Sequence, residues 1–318
     1  MKVRDAGGAD VFAAGITADH HSAENGHVCL SADGRHVAWA SSVPNAGETT
    51  STIRVWNVAT NAELLTVPSL GRAPALSPDG RLLAAIVPTG ELVRRELNAE
   101  PFLGLAHLGG RLKVWDVRTK SEVSSAVELA SFDGAVRFSP DGRSLAVAGS
   151  FPTPNGAGAR WEVRVWDVGT WCERFAAYGH QGPDVFRMEV AWSPDSRRLI
   201  AAGASHDERG GCDVLDATTG QRIFGLRGSG RGAPRFAFTP DGRRIASLAS
   251  DEPRRIGLKL WDAETGRELL RIKPDGFIPN AVTFRVNGNQ ILSSCIMQRP
   301  GLPWFTVWDA TPLPEPKK

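Results

Sequence analysis

Nowhere in this chain does an apolar run approach the roughly 20 residues that cross a bilayer as a helix, and the N-terminus lacks the basic-then-apolar pattern of a signal peptide. A cytoplasmic protein with no membrane partner is therefore expected. Cysteine is scarce: Cys29, Cys172, Cys212 and Cys295 are dispersed, with no Cys-x-x-Cys pair. That excludes a disulfide framework and reads as buried free thiols. Net charge is also nearly absent, 37 basic against 35 acidic residues for +2, so no global field draws nucleic acid. Arginine far outnumbers lysine, as in proteins of GC-rich bacterial genomes. Gly-x-Ser-x-Gly, His-Glu-x-x-His, the Walker loop and the dinucleotide fingerprint are all missing. No 3.6-residue apolar period of any length occurs.

What the chain does have is one phrase, repeated six times. A turn stands as Ser31-Ala32-Asp33-Gly34-Arg35, Ser77-Pro78-Asp79-Gly80-Arg81, Ser139-Pro140-Asp141-Gly142-Arg143, Ser193-Pro194-Asp195-Ser196-Arg197 and Thr239-Pro240-Asp241-Gly242-Arg243, and degenerates in Arg285–Asn289. Each copy is followed by Val55-Trp56-Asn57, Val114-Trp115-Asp116, Val165-Trp166-Asp167, Val214-Leu215-Asp216, Leu260-Trp261-Asp262 or Val307-Trp308-Asp309. Asp-Gly between apolar runs is a tight hairpin signal, because glycine takes positive φ without a clash and aspartate bonds its own backbone. Strand-like runs flank the turn, a third run ends in Trp-Asp, and a second turn (Ala263-Glu264-Thr265-Gly266) leads to a fourth, Glu268–Ile272. Four antiparallel strands copied at this period predict propeller blades.

The repeats resemble the WD40-type (WD-repeat) β-propeller in its bacterial form, over nearly the whole chain. The resemblance implies an all-β fold of four-stranded antiparallel blades, six of them, with an incomplete seven-bladed ring as the alternative. The propeller is expected to span residues 1–311, with a Pro-rich tail over 312–318. Met1-Lys2-Val3-Arg4-Asp5-Ala6 aligns with Leu258-Lys259-Leu260-Trp261-Asp262-Ala263, so the segment Val11–Ile16 is expected to act as the outer strand of the last blade and close the ring. Family members tie blades with a Gly-His that bonds through Ser or Thr and Asp to the Trp. Here Gly179-His180 is the one clean Gly-His, so apolar packing is expected to replace those networks.

Loop lengths carry the functional expectation. From the last turn residue to the next Trp position the distance is 18 residues in the shortest repeats (197 to 215, 243 to 261) and 34 in the longest (81 to 115). This variation falls on the second-to-third connections, hence on one face, and loops free to differ carry recognition. Candidate partner-binding residues there are Arg94, Arg95, Phe102 and His107 in the insertion Pro88–Gly110, then Phe151, Trp161, His206, Arg209, Arg254, Arg255, Arg299 and Trp304. The expectation is a monomeric, non-catalytic scaffold that binds a protein or peptide. The resemblance leaves two alternatives: a propeller enzyme with a polar or metal site at the central channel, or a piece of a larger signalling protein. On the first strands only Arg137 and Glu189 are ionisable, and the group His20, His21, Glu24 and His27 reads as a polar loop. No catalytic residue, cofactor or metal is expected.

Overall fold

The computed structural model describes residues 2–4, 10–13, 27–45, 48–68, 74–89, 109–131, 134–153, 158–178, 185–205, 212–226, 235–252, 255–272, 278–284, 290–296 and 305–309. Among the described residues every regular element is a strand, and no helix is long and apolar enough to cross a membrane. The chain divides into two compact units, Met1–Arg174 and Phe175–Lys318.

The first unit opens with a hairpin of β1 (Lys2–Arg4) and β2 (Asp10–Ala13). Its first four-stranded sheet follows chain order: β3 (His27–Leu30), β4 (His36–Asn45), β5 (Glu48–Asn57) and β6 (Glu63–Pro68). The second sheet is β7 (Ala75–Leu76), β8 (Leu82–Thr89), β9 (Gly109–Asp116) and β10 (Glu122–Leu129). Strand β7 is short because Pro74 has no N–H to give the ladder. The third sheet is β11 (Ala135–Phe138), β12 (Ser144–Pro152), β13 (Ala159–Asp167) and β14 (Glu173–Tyr178), and the unit boundary falls inside β14.

In the second unit a fourth sheet joins β15 (Val185–Trp192), β16 (Arg198–Ser205), β17 (Cys212–Asp216) and β18 (Arg222–Gly225). A fifth joins β19 (Arg235–Phe238), β20 (Arg244–Glu252), β21 (Arg255–Asp262) and β22 (Glu268–Ile272). The sixth has three strands among the described residues: β23 (Ile278–Phe284), β24 (Gln290–Ile296) and β25 (Phe305–Asp309).

The N-terminal alignment has a structural counterpart. Third and fourth strands share an irregularity just before the Trp position, between Val55 and Trp56, Val214 and Leu215, and Leu260 and Trp261. The β1–β2 pairing breaks register at the same place, between Val3 and Arg4. A strand runs over Asp10–Ala13 and pairs with β1 in a two-stranded sheet of their own, and residues 14–16 of the segment expected to close the last sheet lie outside the described residues.

The repeated turn is a closed set of hydrogen bonds. In the third sheet the buried Ser139 Oγ donates to Asp141 Oδ1 at 2.6 Å and accepts from Ser144 N at 2.9 Å, while Asp141 Oδ1 also accepts from Arg143 N at 3.0 Å. Ser31, Ser77, Ser193 and Thr239 make the same bonds to Asp33, Asp79, Asp195 and Asp241. The fourth position needs positive φ: Gly142 sits at 72°, and Ser196, the non-glycine there, at 60°. In the first five sheets a second bond ties the two turns together, from the residue after the Trp-Asp pair to the carbonyl of the turn arginine. It runs from Val117 N to Arg81 O (2.8 Å), Val168 N to Arg143 O (2.9 Å) and Ala263 N to Arg243 O (2.9 Å). Neither turn can change length without breaking this bond, which accounts for their constancy.

Packing follows the Trp positions. Trp115 joins Ile53, Val55, Leu76 and Leu83 in one cluster, and Trp166 joins Leu112, Val114, Val136 and Val147 in the next. In the second unit Trp261 packs with Val214, Phe236 and Ile245, and Trp308 lies against Leu258, Leu260 and Ile291. Each tryptophan thus bridges its own sheet and the preceding one. Leu215 holds the corresponding place in the fourth sheet and is also buried. A bond of the kind those networks use runs from Trp261 Nε1 to Ser247 Oγ at 2.8 Å. Trp39, Ala85, Val147 and Ala201 occupy the Ser247 position in the first four sheets, and Ser293 occupies it in the sixth.

Candidate functional site

The second-to-third connections do vary, and part of the extra length is strand. In the first sheet the β4–β5 ladder runs from His36↔Asn57 without a break to Asn45↔Glu48, leaving a two-residue connection. The Thr- and Ser-rich stretch Glu48–Thr52 favours this, because β-branched side chains suit a pleated hairpin. In the third sheet β12–β13 pairing continues to Pro152↔Ala159, and Thr153 N donates to Gly158 O at 2.9 Å. In the fifth, Glu252 pairs with Arg255 after an irregularity. The second sheet pairs as far as Thr89↔Gly109, so residues 90–108 are an insertion at the tip of a closed hairpin.

Arg94, Arg95, Phe102, His107, His206, Arg209, Arg254, Arg299 and Trp304 lie outside the described residues. Arg255 begins β21 at a hairpin tip; its side chain is outside the described set. Phe151 and Trp161 are in the interior of the third sheet, at 0% and 9% exposure, and so are not presented to solvent as anchors. Phe151 belongs to the buried cluster that also holds Ile86, Leu129 and Val147, and the Arg164 guanidinium lies 4.3 Å from its ring centroid.

The polar feature that sequence reasoning missed is next to Phe151. Glu162 is fully buried, its Oε1 accepting from Arg160 Nε and its Oε2 from Arg164 Nε at 2.7 Å. Arg164 also reaches Glu173 Oε2 at 3.4 Å. The signal was available: Arg160, Glu162 and Arg164 alternate at period two, which puts all three on one face of a strand. Arg187 and Arg235 also fall on first strands, β15 and β19, so Arg137 and Glu189 are not alone there as the sequence led one to expect; Arg137, Glu189 and Arg235 are engaged in bonds. Glu189 Oε2 pairs with Arg235 NH1 at 2.6 Å, and Arg137 NH1 donates to Val136 O at 2.8 Å. No group of three His, Cys, Asp or Glu side chains able to hold a metal occurs among the described residues. His20, His21 and Glu24 are outside that set, as is the side chain of His27. Cys172, expected buried, is exposed, whereas burial pushes the Cys29 thiol up to about 11.

The turn aspartates give the fold an acid limit. Asp167 is lowered from the ordinary 3.8 to about 2, first by the Arg174 guanidinium and then by Thr170. The Ser31 and Thr239 hydroxyls lower Asp33 and Asp241, and the N–H groups of Thr119, Thr219 and Thr265 lower Asp116, Asp216 and Asp262. A carboxylate depressed in the folded state stabilises above its unfolded value and loses that contribution as pH falls through the folded one. The melting temperature is therefore expected to be level above about pH 5 and to drop between about pH 4 and 2. A level profile down to pH 2 would contradict the ionised turns.

No family model and no curated protein matches the chain. Solved structures do. Hydrazine synthase of Kuenenia stuttgartiensis is similar at a TM-score of 0.60 and 18% identity, over 88% of this chain and 76% of that one. TolB from Acinetobacter baumannii is similar at a TM-score of 0.50 and 16% identity, over 78% of this chain. The chain spans about half of TolB, 54% of its length. These are β-propellers, and with consecutive antiparallel sheets of blade topology this chain is an all-β protein of the β-propeller fold.

Proposed function

We propose that the chain is a non-catalytic interaction scaffold of WD40-like repeats that binds a protein or peptide across its second-to-third hairpins. The observation that carries this reading is the contrast between the two edges of the sheets. At one edge five turns repeat the same Ser/Thr–Asp bond set. At the other the hairpins differ, from the ten-residue strands of β4 and β5 to the insertion between Thr89 and Gly109. A scaffold that holds one edge fixed and varies the other is organised for recognition at the variable edge. Propeller neighbours are compatible with a protein-binding role by fold analogy.

The test removes Val43–Thr50 and joins Ser42 to Ser51 through Asn-Gly, which favours a two-residue hairpin turn. The immobilised protein, the trimmed variant and a fixed-edge control, Glu264→Lys, are compared for capture of proteins from the source cell extract. The expected result is a protein held by the parent and the control and lost by the trimmed variant. Capture that survives trimming and fails in the control would place binding elsewhere.

A further inference from the structure

Consecutive sheets within each unit are stacked through one recurring interface. Leu76, Leu83 and Trp115 of the second sheet share a buried cluster with Ala38, Val55 and Leu65 of the first. The fifth and sixth sheets repeat it, with Leu258 and Leu260 clustered with Val282 and Ile291 and with Trp308 packed against them. Successive residues of a strand point to opposite faces. Each sheet therefore has two unlike faces, one carrying the Trp position and one carrying the residue just before it. The interface sets the Trp face of one sheet on the other kind of face of the sheet before. On the first sheet the Trp face is turned away from the second; on the sixth it is the pre-Trp face that is turned away from the fifth.

Both of these faces are uncovered. On the first sheet Val28 and Leu30 are each 50% exposed. Their register counterparts on the third sheet, Val136 and Phe138, are buried. On the sixth sheet Val307 is 45% exposed and Leu292, paired with it, is half-buried, whereas Val55 and Ala38 at those places on the first sheet are fully buried. Water thus reaches apolar side chains on one face of each kind, and apolar surface left open in this way marks association. The interfaces inside each unit show that the two kinds of face fit each other. We propose that the first sheet of one copy docks, through Val28 and Leu30, on the sixth sheet of a second copy, through Leu292 and Val307, continuing the sheet-on-sheet interface across two chains. The contact is heterologous, since the two surfaces differ. It sets the chain apart from the monomer expected from the sequence, and it leaves the variable hairpins free, so it is independent of the hairpin reading.

Sedimentation velocity over a concentration series measures association of the whole chain. Leu30→Asp blocks one face and Val307→Asp the other; both side chains are half-exposed, so each variant is expected to keep the circular dichroism of the parent. The parent is expected to self-associate, and each variant alone to associate at least tenfold more weakly. An equimolar mixture of the two variants is expected to form a one-to-one dimer, because each supplies the face that the other lacks. If an aspartate variant fails to fold, serine at the same position replaces it. The proposal is overturned by a mixture that stays dissociated, or by a variant that associates as tightly as the parent. A parent that is monomeric throughout also overturns it. In that case a melting temperature lowered in either variant assigns the cover to the chain itself, and an unchanged one assigns it to a different protein.

Discussion

Phe151→Ala is expected to lower the unfolding free energy by about 4 kcal/mol, within the range of about 3–5 kcal/mol for truncating a buried aromatic. The side chain is fully buried in the cluster that also holds Ile86, Leu129 and Val147. Removal leaves a void there and strips the surface under Arg164, 4.3 Å from the ring. Urea-induced unfolding measures the effect as a shift in midpoint at constant slope. A cost below about 1 kcal/mol would mean that Phe151 is at the surface after all, the place expected of a partner anchor.

Arg164→Ala is expected to cost about 3 kcal/mol, the low end of the effect of breaking a buried ion pair. Glu162 is 0% exposed, and without Arg164 its charge keeps only Arg160, whose side chain is 38% exposed. The reasoning is about desolvation: the cost comes from stranding a buried carboxylate, not from losing an attraction. Converting the pair jointly, with Glu162→Gln and Arg164→Met, is therefore expected to cost about 1 kcal/mol or less. If the joint change proves as costly as Arg164→Ala, packing of the guanidinium on Phe151 outweighs charge. Because Arg164 touches Phe151, the Phe151→Ala and Arg164→Ala effects should not add.

The turns were legible because their information is local. Ser, Asp and Gly within four residues specify the bonds of Ser139, Asp141 and Gly142 without any distant partner. The Trp positions were legible for a related reason: third-strand registers place Trp56, Trp115, Trp166 and Trp261 alike in the first, second, third and fifth sheets, and all four are buried. Phe151 misled because Pro152-Thr153-Pro154 reads as loop. Pro152 in fact still pairs with Ala159, so strand β12 carries Phe151 into the interior. Arg160, Glu162 and Arg164 alternate visibly, but nothing local says that their face is the covered one. The pairing of Glu189 with Arg235 joins residues 46 apart on different sheets, a relation no spacing rule yields.

The most direct measurement is site-specific photocrosslinking with the captured partner, placing benzoylphenylalanine at Asn45 or Glu48 on the β4–β5 tip or at the exposed Glu264 on the fixed edge. Crosslinks from positions 45 and 48 and none from 264 are the expected result for recognition by the variable hairpins. Crosslinks from 264 alone would contradict it.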